Sequence, residues 1–121
     1  MKKTILILDD NSSIAKIIAM YLSSEYEFHY FNNPILGIRW MQEGNIPDLI
    51  ITDIYMPEMK GTDFLYYIKN NELYKNIPVI VLSGEESSNI RIKLLEDGAD
   101  DFILKPFNPL ELKVRIKKAL R

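Results

Sequence analysis

Five short apolar runs, at Thr4–Leu8, Glu27–Phe31, Leu49–Thr52, Val79–Leu82 and Phe102–Leu104, alternate with five stretches of helical periodicity. This alternation restricts the fold more than any other feature of the chain. When each strand is followed by a helix, the helix carries the chain back so that the next strand lies parallel to the last, and helices come to cover both faces of one sheet. Four of the runs, such as Ile5-Leu6-Ile7-Leu8, are nearly unbroken in Ile, Leu and Val, as strands buried on both faces require. The run at 27–31 is more polar and is expected at a sheet edge.

The helical stretches carry their own punctuation. Ile14, Ile17, Ile18, Tyr21 and Leu22 recur at the spacing of one helix face. Asn33-Pro34 supplies an N-cap and a first-turn proline for a second helix, which Gly44 closes. Phe64, Leu65 and Ile68 mark a third helix starting near Gly61. Ile90, Leu94 and Leu95 mark a fourth, ended by Gly98, and Asn108-Pro109 opens a fifth with Leu112, Ile116, Ala119 and Leu120 on its buried stripe. With 121 residues and no repeat, low-complexity tract or linker, the expectation is one domain over residues 1–121.

Composition removes several function classes. A net charge of −2 lacks the basic excess of a nucleic-acid-binding domain. The absence of cysteine excludes disulfides, thiolate catalysis and cysteine-held zinc, and the single His29 reads as a strand-surface residue. The apolar run after Met1-Lys2-Lys3 stops at Asp9, too soon for a secretion signal, and no segment is long enough to span a membrane, so a cytoplasmic protein is expected.

In open parallel sheets, ligands sit beyond the carboxyl ends of the strands. The first strand delivers Asp9 and Asp10 there, the third Asp53, the fourth Ser83 and the fifth Lys105, whereas the second delivers nothing comparable. If the loaded ends face one site, right-handed crossovers place the strands in the order 2-1-3-4-5. Each residue alone has a plain structural explanation: Asp10 or Asn11 suits a helix cap, Ser83 a turn, Lys105 the surface. Together they call for a different one. Two like charges ~4 Å apart repel by about 4 kcal/mol at an effective dielectric near 20. Three carboxylates around one crevice therefore require a cation, and an all-oxygen donor set selects Mg²⁺ or Mn²⁺. Carboxylate, metal, hydroxyl and ammonium together suit phosphoryl transfer, with one aspartate as nucleophile.

The motifs LDDN at 8–11, DIYMPEMKG at 53–61, LSGEE at 82–86 and GADDFILKPF at 98–107 resemble, in order and over the whole chain, the receiver domain of two-component response regulators. The resemblance implies a flavodoxin-like α/β fold, a doubly wound five-stranded sheet. It implies that Asp53 accepts a phosphoryl group from the phosphohistidine of a sensor histidine kinase or a phosphotransfer protein. Asp10 would bind Mg²⁺ directly, Asp9 mainly through water, and the backbone carbonyl of Tyr55 would complete the protein ligands. Lys105, followed by a cis bond to Pro106, would pair with phosphoryl oxygens. Ser83 would move toward them and Phe102 would follow it inward. Ser83 stands where threonine is commoner, Phe102 where tyrosine is commoner, and Lys60 where an acid is common.

The C-terminal part resembles regulators that carry a winged-helix DNA-binding domain. There the fourth helix, fifth strand and fifth helix form a homodimer face, matched here by Arg91, Asp97, Asp100, Asp101, Glu111 and Arg115. Single exposed charge pairs contribute little, and the plain reading of these six is a solvated surface. Lys113, Lys117, Lys118 and Arg121 read as solvated helix surface, not a DNA site. The function implied is a phosphorylation switch acting only on itself, with no turnover of an external substrate. An aspartyl phosphatase would need an Asp-X-Asp pattern after the first strand, and a flavin module a less acidic phosphate loop than DDNSSI. A non-phosphorylated receiver-like interaction scaffold is the alternative.

Overall fold

A computed structural model describes residues 1–84 and 88–121. The apolar runs form strands β1 (Lys3–Leu8), β2 (Tyr26–Phe31), β3 (Leu49–Thr52), β4 (Val79–Ser83) and β5 (Asp101–Leu104). They alternate with helices α1 (Ser12–Leu22), α2 (Pro34–Gln42), α3 (Gly61–Lys69), α4 (Ser88–Glu96) and α5 (Pro109–Ala119). All strand pairs are parallel, in the order β2-β1-β3-β4-β5. This is the doubly wound, flavodoxin-like sheet expected from the sequence.

Burial follows position in the sheet. Every residue of β3 and β4 is buried, as are Ile5 to Leu8 of β1, while the edge strands β2 and β5 are mostly half-buried. Alternate side chains serve opposite faces. Leu6, Leu8, Ile50, Val79 and Val81 pack with residues of α2, α3 and α4. Ile5, Ile7, Leu49, Ile51, Ile80, Leu82 and Ile103 pack with α1 and α5. On the edge, His29 lies against Trp40, ring centroids 4.6 Å apart, with Nε2 3.1 Å from Glu27.

Helix ends obey the local signals. Asn11, Asn33 and Asn108 accept the backbone N–H of Ser13, Leu36 and Leu110 respectively. Gly44 and Gly98 take the left-handed φ values, +104° and +112°, that end α2 and α4. The buried stripes are narrower than the periodicity implied. In α1, Ala15, Ile18 and Leu22 are buried, but Ile17 and Tyr21 are exposed. The sheet thus meets the part of the apolar arc that runs through Ala15, Ile18 and Leu22, and Ile17 and Tyr21 lie at its solvent edge. In α4, Leu94 is buried and Leu95 is exposed.

Two carboxylates secure the amino ends of strands. Asp48 accepts the Thr4 N–H at 2.7 Å, and Asp100 accepts the Val79 N–H at 2.7 Å. Lys69, 3.6 Å from the same Asp100 oxygen, also donates to the Ile77 carbonyl at 2.9 Å. No helix among the described residues is long and apolar enough to cross a membrane.

Candidate functional site

The order of the strands brings the loaded ends together. β1 and β3 are neighbours, and the Asp53 N–H continues their ladder by donating to the Leu8 carbonyl at 3.0 Å. Asp9, Asp10 and Asp53 therefore meet, each offering a carboxylate oxygen within 4.8 Å of the others. Asp9 and Asp53 are buried, and Asp10 faces solvent. From the far side, the Lys105 ammonium reaches Asp9 Oδ2 at 2.7 Å and Asp53 Oδ2 at 3.2 Å. The Lys105 N–H donates to the Ser83 carbonyl at 2.9 Å, which anchors the start of the β5–α5 loop to β4. The Lys105–Pro106 bond is cis.

Backbone donors orient the acids. The Asn11 N–H donates to Asp9 Oδ1 at 2.9 Å, and the Ile54 N–H to Asp53 Oδ1 at 2.7 Å. Burial pushes the Asp9 carboxyl above the usual aspartate range, against the downward pull of Lys105 and the Asn11 amide. Burial also opposes the Lys105 ammonium. The hydrogen bond to Asp9 and the charges of both aspartates outweigh it and hold the lysine above its ordinary value. The site is thus a partly buried crevice in which Lys105 pairs with two of three clustered carboxylates and the third, Asp10, faces solvent. Its donors are all oxygen, a set matched to a hard divalent ion such as Mg²⁺ or Mn²⁺.

The other expected residues are placed as follows. Ser83 is buried at the end of β4, and Glu85 and Glu86 of the same motif lie outside the described residues. Tyr55 follows Asp53 in the β3–α3 loop with its ring exposed. Phe102 is half-buried against the α2–α4 side of the sheet and lines a cavity with Arg91, Glu111 and Arg115. The six candidate dimer-face charges divide. Arg115 pairs with Asp101 at 3.0 Å and Glu111 at 3.2 Å, Asp97 pairs with Lys93, and Asp100 serves the β4 start.

Two contacts were not anticipated from the sequence. A Cβ on Gly61 would lie 2.2 Å from the Asp53 carbonyl oxygen, so only glycine lets α3 begin this close to the acid. The closing glycine of DIYMPEMKG was its signal. Tyr30 donates its hydroxyl to the Asp9 carbonyl at 2.6 Å, and no local pattern announces that contact.

The response regulator receiver domain family matches residues 5–117 of this chain. Histidine kinase P4 of Formosa agariphila is 38% identical over 98% of the chain, which spans 9% of that kinase. The transcriptional regulatory protein SrrA of Staphylococcus aureus is 34% identical over all of the chain, which spans 49% of it. The chain thus accounts for half or less of these relatives. Among solved structures, a putative response regulator from Chloroflexus aurantiacus superimposes with a TM-score of 0.92 at 28% identity, covering 99% of this chain and 98% of the other. The receiver domain of a histidine kinase from Syntrophus aciditrophicus gives 0.88 at 33%, covering 98% and 89%. With four motifs in order, the same sheet and matching relatives, the chain belongs to the receiver domain family of two-component response regulators.

Proposed function

We propose that the chain is a phosphoacceptor switch. It takes a phosphoryl group onto Asp53 from the phosphohistidine of a sensor histidine kinase or a phosphotransfer protein. The observation that carries this reading is Lys105 bridging Asp9 and Asp53 while an Asp10 oxygen lies within 4.8 Å of both acids. The kinases among the relatives support that source of phosphoryl groups.

An Asp53 carboxylate oxygen attacks phosphorus. The new P–O bond forms as the P–N bond breaks, and the departing imidazole keeps the electron pair and takes up a proton. Asp10, Asp53 and the Tyr55 carbonyl would hold Mg²⁺ or Mn²⁺, with Asp9 acting mainly through water, and the ion would neutralise charge on the phosphoryl oxygens. Lys105 exchanges its carboxylate partners for a phosphoryl oxygen. Ser83 donates its hydroxyl to another, and Phe102 turns toward the space Ser83 leaves. The face built by α4, β5 and α5 changes shape and takes a partner or a second copy of the chain. Water later cleaves the acyl phosphate to inorganic phosphate, so the chemistry acts on Asp53 alone and not on an external substrate. The domain works in the cytoplasm without binding nucleic acid itself.

Incubation with Mg²⁺ and acetyl phosphate, followed by intact mass, tests this. A phosphate-sized gain is expected on the wild type, none on Asp53→Asn, and loss of the Mg²⁺-stimulated part of the gain in Asp10→Ala. An undiminished gain in Asp53→Asn would move the acceptor elsewhere. No gain on the wild type would leave the interaction-scaffold reading.

A further inference from the structure

We infer that Tyr30 is a positioning residue for the acidic pair, fixing the Asp9–Asp10 peptide and thereby raising the affinity of the site for its divalent ion. The inference rests on the metal-binding reading given above, and it concerns a residue outside every motif that identifies the site.

The geometry begins with the sheet. β1 and β2 run in register, Ile7 beside Tyr30 and Leu8 beside Phe31, and the last step of their ladder is the Asp9 N–H to the Phe31 carbonyl at 3.4 Å. In a parallel ladder a residue bonds the same neighbour through both its N–H and its C=O. The Asp9 carbonyl therefore points to where β2 would continue. β2 ends at Phe31, however, and Asn33 caps α2. The Tyr30 hydroxyl fills the missing position, donating to that carbonyl at 2.6 Å.

The bond acts at a sensitive point. The Asp9 carbonyl belongs to the peptide that joins the two adjacent acids, so holding it holds the plane from which both carboxylates project. The Asp9 carboxylate is fixed from the other side by the Asn11 N–H and Lys105. Asp10 has no comparable hydrogen bond among the described residues and depends on its backbone for direction. The half-buried Tyr30 ring packs with the α1–α5 side of the sheet, which gives the hydroxyl a rigid base. A site held in its binding geometry before the ion arrives loses less freedom on binding.

The test measures Mn²⁺ alone, by the electron paramagnetic resonance signal of the free ion titrated with protein, with Mg²⁺ added in competition. Tyr30→Phe keeps the ring and removes only the donor. A hydrogen bond contributing about 1 kcal/mol corresponds to a Kd raised roughly fivefold, with the fold intact by circular dichroism. His29→Ala loosens β2 on its opposite face, where His29 packs against Trp40, and should leave the Mn²⁺ Kd unchanged. Unaltered Mn²⁺ affinity in Tyr30→Phe, or equal weakening in His29→Ala, overturns the positioning role alone. A wild type that binds no Mn²⁺ overturns the metal reading and this inference with it.

Discussion

The two ends of the sheet use the same side chain in opposite ways. At the amino ends, Asp48 and Asp100 stand apart, and each spends an oxygen on the backbone N–H that starts a strand. At the carboxyl ends, Asp9, Asp10 and Asp53 crowd within 4.8 Å, with one lysine between two of them. A carboxylate that caps a strand contributes to stability by satisfying a donor that would otherwise lack a partner. Carboxylates that face one another cost stability through repulsion, a cost that a cation seated among them would offset. Being acidic does not distinguish a structural aspartate from a functional one. What its oxygens face does.

The comparison breaks most visibly where the backbone itself is crowded. Gly61→Ala would set a Cβ against the Asp53 carbonyl and the Ile54 Cα, neither of which can yield. A loss of ~3 kcal/mol in urea unfolding is expected, and an unchanged midpoint would show that the carboxyl-end loop has slack. Asp100→Ala leaves the Val79 N–H without its acceptor and should cost about 1–3 kcal/mol, with Asp100→Asn recovering most of it and phosphorylation unaffected. Asp10→Asn should have the opposite sign. Relieving one exposed charge from the cluster should raise metal-free stability by roughly 1 kcal/mol, and saturating Mg²⁺ should erase the gain. A loss of metal-free stability in that variant would place Asp10 with Asp48 and Asp100.

The smallest effect belongs to an ion pair that joins the turn before β2 to α5. The hydrogen bond from Lys113 holds the Glu25 carboxyl below the usual glutamate range, outweighing a small opposing effect of burial. A carboxyl lowered in the folded state stabilises above its ordinary pKa, and the contribution disappears as pH falls through the lowered value. Wild type should therefore melt slightly above Glu25→Gln near neutral pH, and the gap should close on acidification. A gap that widened in acid would reverse the sign of this pair.

Much of this was readable along the chain. The continuous Ile/Leu/Val runs of β1, β3 and β4 announced buried parallel strands, and the polar β2 announced an edge. Asn33-Pro34 and Asn108-Pro109 marked helix starts because capping is local chemistry. Ile17 and Tyr21 misled because periodicity defines an apolar arc but not which part of it meets the sheet. The charges proposed for a dimer face looked alike in sequence. In space, Asp101 and Glu111 each pair with Arg115, while Asp100 belongs to the fold.

From the amino-acid order alone came the alternation of elements, the sequence of strands across the sheet, and the residues delivered to the carboxyl ends. The elements and their delivered residues follow from local periodicity, a property of neighbouring residues, and the strand order follows from the handedness of crossovers once the loaded ends are taken to share one site. Tertiary structure alone decided which acids are consumed by backbone donors, how closely Gly61 approaches Asp53, and that Tyr30 reaches the Asp9 carbonyl. Those outcomes turn on fractions of an ångström between residues far apart in the chain, and such distances are set by how whole elements pack.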